Sequence, residues 1–261
     1  MMETIRIETD ARGVAHLRLA RADRHNALSG QMIRDLAAAA AQLGTDPAVR
    51  VVVLAAEGRS FCAGADLGWM QEQMLADADS RRAGARELAA MLNALNTLPK
   101  PLIGRIQGDA FGGGIGLISV CDLAIAVPGV RFGLTETRLG LIPATIGPYV
   151  LARMGEARAR RVFMSGRPFG ADEAMRLDLI AAVAPPERLD AAIEAEVAPY
   201  LACAPGAVAA AKRLARRLGP PIGPAEIEAS IAALVEAWEG DEAAEGIAAF
   251  FDRRKPRWQS G

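Results

Sequence analysis

The chain is poor in cysteine, histidine and aromatic side chains, it has almost no excess charge, and it carries no long hydrophobic run. Three cysteines in 261 residues, Cys62, Cys121 and Cys203, are an odd number without metal-ligand spacing. That pattern argues against a disulfide framework and for a reducing, cytoplasmic compartment. No stretch of about 18 uncharged apolar residues exists; the longest candidate, residues 115–130, is interrupted by Asp122 and Pro128. The opening MMETIRIETD has neither the basic nor the apolar segment of a signal peptide, so a soluble protein is expected. Lys and Arg number 30 against 31 Asp and Glu, and a net charge of -1 gives no long-range attraction for nucleic acid or an anionic membrane.

What is present is ordinary for a soluble enzyme, 51% hydrophobic and 23% charged, with alanine carrying the apolar content that aromatics do not. The length allows one large domain, or one with an appended helical piece. Glycine, at 26 residues, exceeds the usual share of about 7%, and the excess is clustered.

Alternating apolar residues predict strands over 4–8 and 14–19 with Gly13 at the turn, and Ser29 is a suitable N-cap for a helix over 31–43 ending at Gly44. The run RVVVLAA at 50–56 has the pattern of a strand buried on both faces. The polar loop EGRSFCAGAD follows it, then a helix over 83–98 stopped by Pro99 and Pro101. A strand over 102–107 runs into the cluster GDAFGGGIGL, which opens a further helix, and strands are expected over 122–127 and 130–134. Beyond about residue 145 the pattern is helical, with Ala-rich amphipathic segments at 156–165, 171–178, 186–202, 207–218, 225–239 and 241–253. The composition change divides the chain into a core over 1–190 and a helical region over 191–261.

Two loops share one design, in which an apolar strand ends and glycine lets the backbone turn sharply. One is SFCAGAD at 60–66 and the other GGG at 112–114, at a helix start. Glycine permits close approaches that side chains forbid, and a helix N-terminus presents unpaired N–H groups. Together two such loops can aim two donors at one oxygen, the requirement for stabilising an enolate. Each loop alone reads equally as a tight turn that permits close packing.

With their flanks the loops are more specific. FCAGADLGWM at 61–70, IQGDAFGGGIGLISVCDLAIA at 106–126 and FGLTETRLGLIPATIGPYVLARMGEARA at 132–159 resemble, in order and separation, the enoyl-CoA hydratase/isomerase (crotonase) family. RADRHNALS near the start and EGIAAFFDRRKPRW near the end extend the resemblance over the whole chain. It implies an α/β fold, a crotonase-like spiral of β-β-α units with a C-terminal helical trimerisation region, in a homotrimer or a hexamer of two trimers. It also implies an acyl-CoA substrate, with coenzyme A entering as part of that substrate and no metal or other cofactor. By the same resemblance the N–H groups of Ala65 and Gly113 form an oxyanion hole. Ala63, Asp66 and Leu67 follow the adenine and pantetheine path, with Gly112, Gly114 and Gly116 in the same block. Arg24, Asn26 and Ala27 lie beside the CoA moiety, and Phe250 and Arg253 lie near its nucleotide end.

Hydratases of this family typically carry two glutamates. Glu136 in LTETRLG matches the second; where the first would stand, this chain has Gly116. Hydration requires deprotonating water and protonating the α-carbon, so a single carboxylate must do both or be assisted. By itself Glu136 reads as an exposed or helix-capping carboxylate; its place in the matched block makes it the expected acid and base. Gly116 is compatible with isomerase chemistry, one base moving a proton between C2 and C4, or with space for a bulky or charged acyl chain. The combined motifs resemble bacterial hydratases of branched glutaconyl-CoA thioesters that also lack the first glutamate. The expected activity is therefore 2-enoyl-CoA hydration on a 3-methylglutaconyl-CoA-like substrate. Δ3-Δ2 enoyl-CoA isomerisation and a non-catalytic acyl-CoA-binding scaffold are the alternatives.

His16 reads as a strand surface residue, and His25 as a neighbour of the CoA-facing segment. Cys62 and Cys121 read as small buried residues, Asp122 as a structural hydrogen-bonding group, and Arg138 as half of a structural salt bridge, with pairing to a substrate carboxylate as the alternative. Gly68 and Trp69 stand where some relatives have a CoA-phosphate lysine, leaving Arg24, Arg253 or Lys255 for the phosphates. The basic stretch 212–217 reads as a solvated helix face.

Overall fold

The computed structural model describes residues 2–259. Strands β1 (Ile5–Thr9) and β2 (Val14–Leu19) pair antiparallel across the turn at Gly13, which sits at φ 85°. Helix α1 (Gly30–Thr45) begins where Ser29 Oγ accepts from the Met32 N–H at 3.3 Å, as the sequence predicts, and runs one residue past Gly44. All six residues of β3 (Val51–Ala56) are buried, because sheet and helices cover both faces. After β4 (Ser60–Cys62) come α2 (Leu67–Leu75) and α3 (Ala78–Asn96). Then follow β5 (Leu102–Ile106), β6 (Asp109–Phe111), α4 (Gly113–Ser119), β7 (Leu123–Ala126) and β8 (Arg131–Gly133).

The strands form a six-stranded sheet, β1-β2-β3-β5-β7 with a tenth strand at its edge, and a four-stranded sheet that begins β4-β6-β8. Three times, a parallel strand of the larger sheet passes directly into a strand of the smaller one and then into helical structure: β3-β4-α2, β5-β6-α4, and β7-β8 followed by a 3-10 turn at Glu136–Leu139. This is the expected spiral of β-β-α units.

The second half holds α5 (Gly147–Met154), α6 (Glu156–Phe163), β9 (Phe169–Gly170), α7 (Ala171–Arg176) and β10 (Ala182–Val183). Helices α8 (Leu189–Leu201), α9 (Pro205–Leu218), α10 (Pro224–Glu239) and α11 (Asp241–Phe251) complete it. The six helices expected beyond residue 145 are all present. The sequence does not signal β9 and β10, since two residues are too short to show alternation; β9 closes the smaller sheet antiparallel to β8, and β10 extends the larger beside β7.

Most buried apolar residues form one core around the larger sheet, α1, α3 and α4, joined by Leu189, Ile193 and Val197 of α8. The last helices return to the body of the protein: Ile231 of α10 packs on Ala85 and Ala89 of α3, and Trp238, Ala243 and Ile247 cluster with Met70 and Leu141. The basic stretch 212–217 corrects the expectation of a fully solvated face. Lys212 is only 10% exposed, because its ammonium reaches inward to Asp122 Oδ2 at 2.7 Å and the Lys100 carbonyl at 3.0 Å. Asp122 has the structural role expected of it, also accepting from the Leu102 N–H. Among the described residues no helix is long and apolar enough to cross a membrane.

Candidate active site

The loop after β4 is held by the segment 21–28. Ala63 N–H donates to His25 O at 3.0 Å, Leu28 N–H to Gly64 O at 2.8 Å, and Asp66 N–H to Leu28 O at 3.0 Å. The His-Asn pair inside that segment takes left-handed backbone angles, φ 52° and 53°. The Asn26 side chain makes them tenable: Oδ1 accepts from Arg21 N–H, and Nδ2 donates to Glu57 O and Ser60 O. Arg21, not singled out from the sequence, ties the same parts together, pairing with Asp66 at 2.9 Å and donating to Ala27 O. Asp66 also caps α2 through Gly68 and Trp69. Burial would raise its carboxyl pKa, but Arg21 and those two amides hold it below the usual carboxylate range.

The loop after β6 lies against the first. Gly64, at φ 96°, and Gly112, at φ 45°, occupy backbone regions that disfavour side chains. A Cβ on Gly64 would come within 3.2 Å of Phe111 O, and one on Gly112 within 3.1 Å of Glu136 Oε1. The two glycine loops and the Glu136 carboxylate thus meet. Among the described residues the Ala65 and Gly113 N–H groups donate to no protein acceptor, and both residues line one cavity of about 510 Å³ together with Glu136.

Glu136 opens the 3-10 turn that follows β8. The residue as a whole is half-buried, but Oε2 is shut off from solvent and has no hydrogen-bond partner. Burial pushes its carboxyl up to about 7. A carboxyl poised near neutrality in a cleft is suited to taking up and returning a proton. The turn is backed by α11 at close range: a Cβ on Gly140 would lie 2.3 Å from the Glu242 carbonyl, and one on Gly246 2.5 Å from that of Leu139.

The rest of the cavity is apolar, with Trp69, Met70, Leu88, Ile146, Leu234 and Trp238 among its walls. Of the expected site residues, Glu136, Ala65, Gly113, Ala63, Leu67, Gly112 and Phe250 line it. Gly114 and Gly116 do not: Gly114 is buried against Cys62, and Gly116 lies beneath Ile146, whose Cγ2 would be 2.6 Å from a Cβ placed there. The expectation that Gly116 opens space for the acyl chain is thereby corrected, because Ile146 fills that space. Asn26, Ala27 and Asp66 brace the loop from behind. Arg24 is exposed beside Asp23, and Arg253 is exposed at φ 55°, both away from the cavity wall. His25 is engaged with Ser60 Oγ and Arg59 rather than with the cavity. Arg138 has no ion pair among the described residues, against expectation, and instead lines the cavity. Cys62 and Cys121 are buried, and burial pushes both thiols up to about 12, leaving them inert.

The sequence profile of the enoyl-CoA hydratase/isomerase family matches residues 9–261. The Alternaria alternata enoyl-CoA hydratase ACTT6 is 34% identical over 206 residues, covering 78% of this chain and 67% of that protein. A solved enoyl-CoA hydratase from Mycobacterium avium has a TM-score of 0.85 at 34% identity, covering 99% of this chain and 100% of the other. One from Shewanella pealeana has a TM-score of 0.81 at 35% identity, covering 99% and 97%.

Proposed function

The chain belongs to the enoyl-CoA hydratase/isomerase (crotonase) family, and from that premise we propose that it adds water to a 2-enoyl-CoA thioester with Glu136 as acid and base. The observation that carries this reading is the unpartnered Glu136 carboxylate on the same cavity wall as two unused backbone donors. The Ala65 and Gly113 N–H groups take the thioester oxygen, where negative charge grows as the enolate forms. Glu136 accepts a proton from water as the water oxygen bonds to C3. The π-electron pair moves onto the thioester oxygen, and the enolate then recovers the proton at C2 from Glu136. The net change is addition of one water molecule.

The apolar walls accept a branched hydrocarbon chain, and Arg138 is the only cation lining the cavity among the described residues. A 3-methylglutaconyl-CoA-like substrate would set its methyl group against the walls and its carboxylate toward that guanidinium. Coenzyme A is part of the substrate, and no further cofactor is invoked. We read the assembly as a trimer or a pair of trimers. The support for association is α9, which adds no apolar residue to the buried core and leaves Leu214 56% and Leu218 77% exposed.

One observation favours a second reading. Glu136 is the only carboxylate lining the cavity among the described residues, which suits a base that moves a proton between C2 and C4 of a 3-enoyl-CoA. The assay that tests both uses crotonyl-, 3-methylglutaconyl- and 3-enoyl-CoA and follows the absorbance of the conjugated thioester. Hydration removes that absorbance and isomerisation creates it. Glu136→Gln is expected to lower turnover by about 10²–10⁴-fold. Equal rates for wild type and variant would remove Glu136 from the mechanism, and no turnover of any substrate by the wild type would leave a binding scaffold.

A further inference from the structure

Water that adds to a double bond must be held as well as deprotonated. One carboxylate fixes only one of its hydrogens, and the family's first glutamate is replaced here by Gly116 under the Ile146 side chain. Among the described residues, six buried side-chain polar atoms lack a hydrogen-bond partner: Asn96 Oδ1, Gln107 Oε1, Ser119 Oγ, Glu136 Oε2, Thr145 Oγ1 and Arg153 Nε. A buried hydroxyl left unpaired is costly and calls for a ligand, a water or a catalytic task. Only two of the six residues, Glu136 and Thr145, line the acyl cavity. Thr145 is 3% exposed, so bulk solvent does not satisfy its hydroxyl.

The local backbone explains the placement. Thr145 lies between Pro143 and Gly147, in a turn closed by Ala144 N–H donating to Ile142 O and Gly147 N–H donating to Ala144 O, both at 2.8 Å. Ile146, next in the chain, drives its side chain over Gly116 and fixes the turn from the core side. The same turn therefore occupies the space above Gly116 and sets Thr145, with its unpartnered hydroxyl, in the cavity wall.

We propose that Thr145 is the water-positioning residue of this enzyme, its hydroxyl oxygen accepting one hydrogen of the water whose other hydrogen passes to Glu136. The water lone pair is then left to form the bond to C3, and the proton on Glu136 goes on to C2, so the overall balance is that of hydration. This inference rests on the hydratase reading. Isomerisation uses no water, so the hydroxyl matters for one reaction and not for the other.

Thr145→Val keeps the β-branched shape and removes the hydroxyl, while Thr145→Ser keeps the hydroxyl and removes a methyl group. Thr145→Val is expected to lower kcat for hydration by about 10–100-fold. KM for the acyl-CoA and any 3-enoyl-CoA isomerisation should stay within about twofold, since neither depends on holding the water. Thr145→Ser is expected to recover most of the hydration rate. Wild-type hydration by Thr145→Val, or a loss in Thr145→Ser equal to that in Thr145→Val, would overturn the assignment. If Glu136→Gln abolishes hydration while Thr145→Val leaves it intact, the inference falls alone. If the wild type hydrates no enoyl-CoA, the functional reading falls with it.

Discussion

Two cavities of similar size, about 510 and 550 Å³, sit beside strands of different sheets. The acyl cavity is built from loops that follow β4 and β6. The second is built from Pro101 and Asp122, which immediately precede β5 and β7, with Arg153 and residues of α9. Both contain unpartnered polar atoms, Ser119 Oγ and Arg153 Nε in the second. They differ in how charge is met. Asp122 holds Lys212 and the Leu102 amide, and Arg153 donates to the carbonyls of Asp122 and Ser119. Burial pulls the Lys212 ammonium below its ordinary value, while Asp122 works against that fall. Glu136 faces no such partner, and its proton is left near the point of transfer. Volume does not separate the proposed active site from the second pocket; an unpartnered carboxyl at the carboxyl ends of the strands does.

Substitutions in each cavity sharpen that contrast. After Glu136→Gln, the largest loss of turnover is expected from Gly64→Ala, whose Cβ strains the φ 96° backbone and presses on Phe111 O, turning the Ala65 amide away from the cavity. Turnover should fall by about 10²–10³-fold, the loss typical of one oxyanion donor; an unchanged kcat would show that this amide does not contribute. Lys212→Met, in the other cavity, should cost about 3 kcal/mol of stability by leaving Asp122 without its buried partner. Denaturant melts would measure that loss, while activity per folded molecule remains at the wild-type level. A fall in that activity would erase the division between the two cavities.

The smallest effect is on the pH dependence of stability. Because folding raises the Glu136 pKa from 4.5 to about 7, its contribution to stability is fully present below about pH 4.5 and is lost as pH rises through 7. Glutamine never ionises, so Glu136→Gln should melt a few degrees above wild type at pH 8, and that advantage should disappear near pH 4. A constant difference across that range would mean that the carboxylate is solvated in the folded protein.

The parts of the site that were legible in the sequence are those with local causes. Ser29 caps α1 from three residues away, the apolar run of β3 requires cover on both faces, and the glycines at 64 and 112 mark turns that their own φ angles demand. Glu136 is legible only through its motif, since a lone glutamate after a strand carries no sign of burial. What escaped depends on distant partners. Lys212 lies in a basic stretch, and Asp122, 90 residues earlier, together with the Lys100 carbonyl draws it inward. Leu234 and Trp238 become cavity walls because α10 packs on α3. Ile146 reaches Gly116 from a separate turn, so an apparent vacancy in the motif is filled by a side chain thirty positions away. Helix α2 has no distinct start signal in the sequence, because Asp66, its cap, reads equally well as the end of a polar loop.

The backbone contact between α11 and the turn bearing Glu136 has a consequence for how rigidly that carboxyl is held. Gly246 lies directly against Leu139, and Gly140 against Glu242, so the turn is shored up from outside the two sheets by a helix far along the chain. A side chain at either glycine would prise the two backbones apart, loosening the carboxyl while both sheets keep their strand pairing.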